Sequence, residues 1–145
     1  MNPHQRALED YIEYWETLTP RSVRLIEKLG DPGMMFKDPF NNVQGLEAVE
    51  TVLSKIFQDT EKPRFKVQNH AWAQDGKTAF LRWQMRFLSK GRKREWIIDG
   101  MSEIYFSDSG KVMAHYDHWD SGSQLFSRLP VCGFLFNLVK KRLGA

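Results

Sequence analysis

KVMAHYDHWD, residues 111–120, follows the turn signal Ser107-Asp108-Ser109-Gly110 and has the pattern of a β-strand. Side chains on a strand alternate between its two faces. Met113, His115, Asp117 and Trp119 therefore share one face, and Val112, Ala114, Tyr116, His118 and Asp120 share the other. One face carries an imidazole, a carboxylate and an indole in a row. A carboxylate two residues from a histidine on the same face can orient the ring and raise its basicity. A polar, solvated sheet face would hold the same residues. The two readings part on whether the rest of the chain encloses this face in apolar side chains.

Upstream of that strand lie three more. Glu95–Phe106 sets Trp96, Ile98, Gly100, Ser102, Ile104 and Phe106 against Ile97, Asp99, Met101, Glu103 and Tyr105. Thr78–Ser89 sets Leu81, Trp83, Met85 and Phe87 against Arg82, Gln84 and Arg86. Phe65–Ala73 ends at the turn Gln74-Asp75-Gly76. The tip Lys90–Arg94 is expected to be a hairpin loop whose charge discourages edge pairing. Consecutive strands joined by short turns make an antiparallel meander.

The N-terminal part is helical. Leu8, Tyr11, Ile12, Trp15 and Leu18 recur at i, i+3, i+4, i+7 spacing across residues 4–18, with Tyr14 at the edge of the stripe. A second helix is expected from Thr19 as cap and Pro20 at the first helical position, through Val23, Leu25, Ile26 and Leu29 to a stop at Gly30. Met34-Met35-Phe36 reads as a short strand running into Lys37-Asp38-Pro39-Phe40. The proline biases Asp38 toward extended geometry, and phenylalanines flank it. A carboxylate in apolar surroundings has its charged form disfavoured, as suits a general base. An aspartate opening a turn toward water is the plainer reading. Gly45–Thr60 is the clearest helix, striped by Leu46, Val49, Val52, Leu53, Ile56 and Phe57, and is expected to cover one side of the sheet.

After Asp120 the pattern changes. Ser121-Gly122-Ser123 is a break, Gln124–Leu129 suggests one or two helical turns ended by Pro130, and Val131–Leu143 is in helical register before its basic end, Lys140-Lys141-Arg142. Such a helix can dock on the sheet, close a pocket mouth, contact a second copy or, as the least favoured of these readings, lie on a membrane surface. No apolar run approaches the ~20 residues of a membrane span, and the N-terminus lacks the apolar stretch of a signal peptide. The 145 residues suit one domain, and an apolar content of 41% is enough for a core. The net charge of +3 is concentrated in the 90–94 and 140–142 runs, with no stacking platform beside either, so nucleic acid is not an expected partner. The single cysteine, Cys132, allows no internal disulfide and fits a reducing compartment. A cytoplasmic protein is the expectation.

The order of elements, across about residues 5–120, resembles the nuclear transport factor 2-like superfamily. It is most similar to the SnoaL-like and ketosteroid isomerase-like branch. Phe36-Lys37-Asp38-Pro39-Phe40 followed by Gly45-Leu46-Glu47-Ala48-Val49 is similar to that branch's Asp-Pro and helix-opening glycine, and residues 104–112 are similar to its late hairpin. The resemblance implies an α+β cone: a curved antiparallel sheet wrapped by N-terminal helices around an apolar pocket. It would form a single domain over 1–145, with 121–145 as a C-terminal helical extension.

The resemblance also implies roles. In the isomerases the Asp-Pro carboxylate is the general base, and a first-helix tyrosine and a later protonated acid hold the oxyanion. Asp38 falls on the base and Tyr14 on the tyrosine. Ser102 falls on the second acid, and Asp99, three residues off, is on the opposite face. Polyketide cyclases and hydrolases of the superfamily use His and Asp groups in the same kind of pocket. An acid–base set of Asp38, His115 and Asp117 is thus expected, with Tyr14 as donor. Trp15, Phe40, Leu81, Trp83, Met85, Trp96, Ile98, Ser102 and Trp119 would contact the ligand. The implied activity is cofactor-independent: an isomerase, cyclase or hydratase/hydrolase acting on a small apolar molecule, carbonyl-bearing or polycyclic. The alternatives are a non-catalytic ligand carrier and a dimeric interaction module, with Arg82, Gln84 and Arg86 on the outer face of a homodimer. A metal site is not expected. His115 and Asp117 could be two ligands of a triad, but His118 points away and His70 is not on the pocket face.

Overall fold

The computed structural model describes residues 1–91 and 93–144; Arg92, within the charged tip, lies outside the described residues. Helix α1 (Gln5–Glu16) forms where the apolar residues recur at helical spacing, and it buries Leu8, Tyr11, Tyr14 and Trp15. The expected second helix is broken into a 3-10 turn at Val23–Leu25 and one turn of helix, α2 (Ile26–Leu29). The Tyr14 hydroxyl donates to the Val23 carbonyl at 2.8 Å. It therefore competes for an acceptor that an unbroken helix would give to the N–H four residues on.

Strand β1 (Gly30–Lys37) is longer than the Met34–Phe36 segment expected, and it folds back on an unforeseen short strand, β2 (Asn42–Gln44). Asp38 closes that hairpin by accepting the N–H groups of Phe40 and Asn41, both at 2.7 Å. Gly45, with φ 97°, turns the chain into α3 (Leu46–Asp59), where a side chain would be strained. β3 (Thr60–Trp72) starts directly after the helix, earlier than the Phe65 start expected. Its first residues are irregular: Lys62 has φ 51°, and pairing with β4 slips around Pro63, which has no N–H to donate.

β4 (Thr78–Ser89), β5 (Glu95–Phe106) and β6 (Val112–His118) complete the antiparallel meander with β3, as expected. The sheet order is β2-β1-β6-β5-β4-β3, with β1 and β6 parallel. It is an open, curved sheet in an α+β fold, and α1 and α3 pack on its concave side. The core lies between them, around Leu8, Tyr11, Ile26, Val49, Leu53 and Ile104.

One bulge changes a face. Tyr105 pairs with Ala114 but Phe106 pairs with Val112, so Met113 is an extra residue in β6. Val112 turns into the core and Met113 is pushed outward and exposed, which corrects its expected place beside His115.

After β6, α4 (Ser121–Gln124) is capped by Asp120, whose side chain accepts the Ser123 N–H. A 3-10 turn (Phe126–Arg128) leads into α5 (Pro130–Leu143). Pro130 ends the turn and also opens the helix, since its missing N–H is not needed there. α5 packs chiefly on the turn before it.

Candidate functional site

The concave side of the sheet holds a cavity of about 610 Å³. Its floor begins with an absence: Gly100 stands opposite Trp83 across β4 and β5. A Cβ at Gly100 would collide with the Trp83 ring, so only glycine lets the indole lie flat across the sheet. There Trp83 Nε1 donates to Ser102 Oγ at 2.7 Å. An indole N–H can only donate, so the Ser102 hydroxyl proton goes onward, to Asp117 Oδ1 on the neighbouring strand.

The same Asp117 oxygen meets His115 Nε2 at 2.6 Å, and His115 Nδ1 meets the Tyr11 hydroxyl at 2.7 Å. The Tyr11 phenol is held well above its ordinary pKa, chiefly by burial. The Trp15 N–H partly offsets this, while Tyr14 and Asp117 add to it. That N–H forms no hydrogen bond of ordinary geometry, and Trp15 Nε1 is buried without a partner. With a ring proton on Nε2 facing Asp117 and none on Nδ1, Nδ1 accepts the Tyr11 O–H. Five side chains from α1, β4, β5 and β6 thus form one buried chain: Trp83, Ser102, Asp117, His115, Tyr11.

Within that chain both nitrogens of His115 are engaged, and its side chain is 4% exposed. Asp117 is 14% exposed, and it uses only Oδ1. Its Oδ2 accepts no hydrogen bond among the described residues, and Asp117 lines the cavity. The free polar atom of the set is therefore a carboxylate oxygen, held from behind by an imidazole and a hydroxyl. Aromatic rings surround it: His115 lies 4.9 Å from Phe36 and 5.2 Å from Trp15 between ring centroids.

The remaining expected residues divide. Trp15, Leu81, Trp83, Met85, Ile98, Ser102 and Trp119 line the cavity, and exposed Phe40 stands at its mouth against Trp119 and Phe126. Asp38 also lines it, but both its oxygens are engaged: besides the two turn N–H groups it accepts Asn41 Nδ2 at 3.0 and 3.1 Å. The apolar isolation expected for Asp38 is replaced by a turn that its carboxylate ties together. Tyr14 does not reach the cavity. Its hydroxyl is spent on Val23, and burial, with the Glu50 charge, raises its pKa. Trp96 stacks on Phe87 beneath the Arg128 guanidinium and is not part of the lining. Tyr11 is expected only on the apolar stripe of the helix, while the resemblance implies Tyr14 as the donor. Phe36, Val52, Ile56, Phe65 and Val67 line the cavity too, and only their apolar periodicity marks them in the sequence. No third His, Cys, Asp or Glu joins His115 and Asp117 among the described residues.

A family profile described as the SnoaL-like domain matches residues 9–115. No curated protein matches the chain. Among solved structures, an NTF2-like protein of unknown function from Exiguobacterium sp. 255-15 aligns with a TM-score of 0.68 at 15% identity, over 79% of this chain and 98% of that one. A putative SnoaL-like polyketide cyclase from Jannaschia sp. CCS1 aligns at 0.69 and 11%, over 81% and 85%. The epoxide hydrolase/cyclase-like enzyme SalBIII, with a role in pyran ring formation in polyether salinomycin, aligns at 0.65 and 15%, over 83% and 95%. At such identities these likenesses establish the fold alone.

Proposed function

From the premise that this chain belongs to the SnoaL-like domain family, we propose that it binds a small apolar molecule in the cavity and acts on it with Asp117 as general base. One observation carries this reading: a buried chain of hydrogen bonds leaves a single carboxylate oxygen, Asp117 Oδ2, unpaired at an apolar cavity. The proton taken comes from a carbon next to a carbonyl or from a water, and the hydroxyl of Ser102 and the N–H of His115 hold the carboxylate oriented while it acts. His115 is then a positioning residue, the reverse of the roles expected for the pair. The cyclase and hydrolase relatives support this class of chemistry without naming the substrate.

A second reading, a carrier that binds without turnover, is favoured by one feature. Neither buried phenol is offered to a ligand, since Tyr11 is bonded to His115 and Tyr14 to Val23. Mass spectrometry of the native protein before and after organic extraction identifies a retained apolar molecule and hence the compound to assay. With that compound, Asp117→Asn is expected to lower turnover by about 10²-fold or more while retaining binding. Unchanged turnover in Asp117→Asn rejects the base, and binding without turnover in the wild type selects the carrier.

The partner in solution is proposed to be a second copy, joined through the outer face of the sheet. Met35, Met101 and Met113 are exposed there, beside the packed pair Tyr105 and Tyr116.

A further inference from the structure

α5 is amphipathic the wrong way round for a helix that packs on its own domain. Its small and polar positions, Gly133, Asn137 and Lys140, follow i, i+4, i+7 spacing and share one face. Gly133 is the buried one, and it presses so closely on the Ser127 carbonyl that no Cβ would fit. Phe136 rests on Gly122 in the same way. These contacts seat the helix with its apolar face outward. Val131, Phe134, Leu135, Leu138, Val139 and Leu143 are all exposed, from 50% at Leu138 to 83% at Leu143. A contiguous apolar face of this kind on a soluble domain marks an interaction surface.

Charge identifies the occupant. Arg128, Lys140, Lys141 and Arg142 are the only charged side chains after Asp120, and Asp120 itself lies near enough to Lys140 to be lowered in pKa by it, after its bonds to Ser123. With a net charge of +3 for the whole chain, the body up to Asp120 is close to neutral, and its surplus of cations belongs to this extension. A second copy packed with the two helices parallel would bring the same cations against its own and repel them. An anionic lipid surface meets both features at once: acyl chains take the phenylalanine and leucine face, and headgroups take the lysines and arginine at its end. At about 1.5 Å per residue the fourteen residues of α5 are too short to cross a bilayer, and no helix among the described residues is long and apolar enough to do so. The extension also reaches the cavity mouth, where Leu125 joins the lining and Phe126 packs on Phe40 at 6.2 Å between centroids.

We propose that α5 lies flat on an anionic membrane surface and holds the cavity mouth beside the lipid. This interaction does not depend on the chemistry assigned to Asp117. The test is co-flotation of the purified full chain with phosphatidylcholine vesicles, with and without phosphatidylglycerol. The wild type is expected to float with the anionic vesicles, and to float less as salt is raised. Lys140→Gln with Lys141→Gln is expected to weaken binding by about tenfold or more, and Phe134→Ser with Leu138→Ser to abolish it. Both pairs lie on exposed positions, so thermal unfolding should match wild type. Asp117→Asn should float like wild type whatever its turnover, which separates this test from the catalytic one. Failure of the wild type to float with anionic vesicles overturns the proposal, as does flotation unchanged in both double variants. A drop in assembly mass by light scattering in Phe134→Ser/Leu138→Ser, without vesicle binding in wild type, assigns the face to a second copy instead.

Discussion

His115 shows how far a single residue's role depends on its partners. An imidazole on a pocket strand suggests a base, yet Tyr11 occupies one nitrogen and Asp117 the other. Tyr11→Phe would leave Nδ1 buried and unpaired. A loss of about 1–3 kcal/mol in unfolding free energy by urea titration is expected. The two phenols of α1 also make a pH prediction. Burial raises the pKa of Tyr11 and Tyr14 above the ordinary 10.0. The unfolded chain releases these protons near the ordinary value while the folded chain keeps them. Their contribution to stability is therefore intact below pH 10.0 and is lost as pH rises toward the folded values. In an alkaline titration, the phenolate absorbance of these two of the four tyrosines should appear only together with loss of tertiary circular dichroism.

At the scale of elements, the β4–β5 pair depends on one missing side chain. Gly100→Ala drives a methyl into the Trp83 ring. Overpacking of this kind costs about 1–3 kcal/mol, and it should shift Trp83 off Ser102, so unfolding and indole fluorescence should change together. A normal unfolding midpoint would mean that the ring tilts at no cost. The strands themselves were legible because alternation is local: Leu81, Trp83 and Met85 face one way whatever happens elsewhere. The bulge at Met113 was not legible. Inserting one residue leaves the letters on either side alternating, and only pairing with Tyr105 and Phe106 reveals the slip. The broken second helix has a similar cause, since the competing donor, Tyr14, comes from another element.

For the whole molecule, the outer sheet face and the cavity make separate predictions. If the homodimer forms through Met35, Met101 and Met113, sedimentation equilibrium should give twice the monomer mass, and Met113→Glu should return the monomer. Of the polar residues expected on that face, Arg86 pairs with Glu95 at 3.0 Å and Gln84 donates to Asp99. An apolar ligand that fills the cavity at a hundred times its dissociation constant should stabilise the fold by about 2.7 kcal/mol, a rise in Tm of about 5–10 °C by calorimetry.

By itself the sequence determined the α+β order, the meander, the helix read over Gly45–Thr60 and the apolar character of one face of the sheet, because each follows from spacing within a few residues. It also placed His115, Asp117, Ser102 and Trp83 on faces that could meet. Tertiary structure alone decided which of Tyr11 and Tyr14 bonds to His115, since both phenols come from one helix and differ in what the fold brings opposite them. It turned Asp38 into the tie of a hairpin and left Asp117 with the free oxygen. It also set α5 with its apolar side outward, because a helical pattern gives the width of an apolar face but not its direction. Hydrogen bonds between residues as far apart as Tyr11 and His115 depend on how the sheet curves, and that curvature belongs to no single segment.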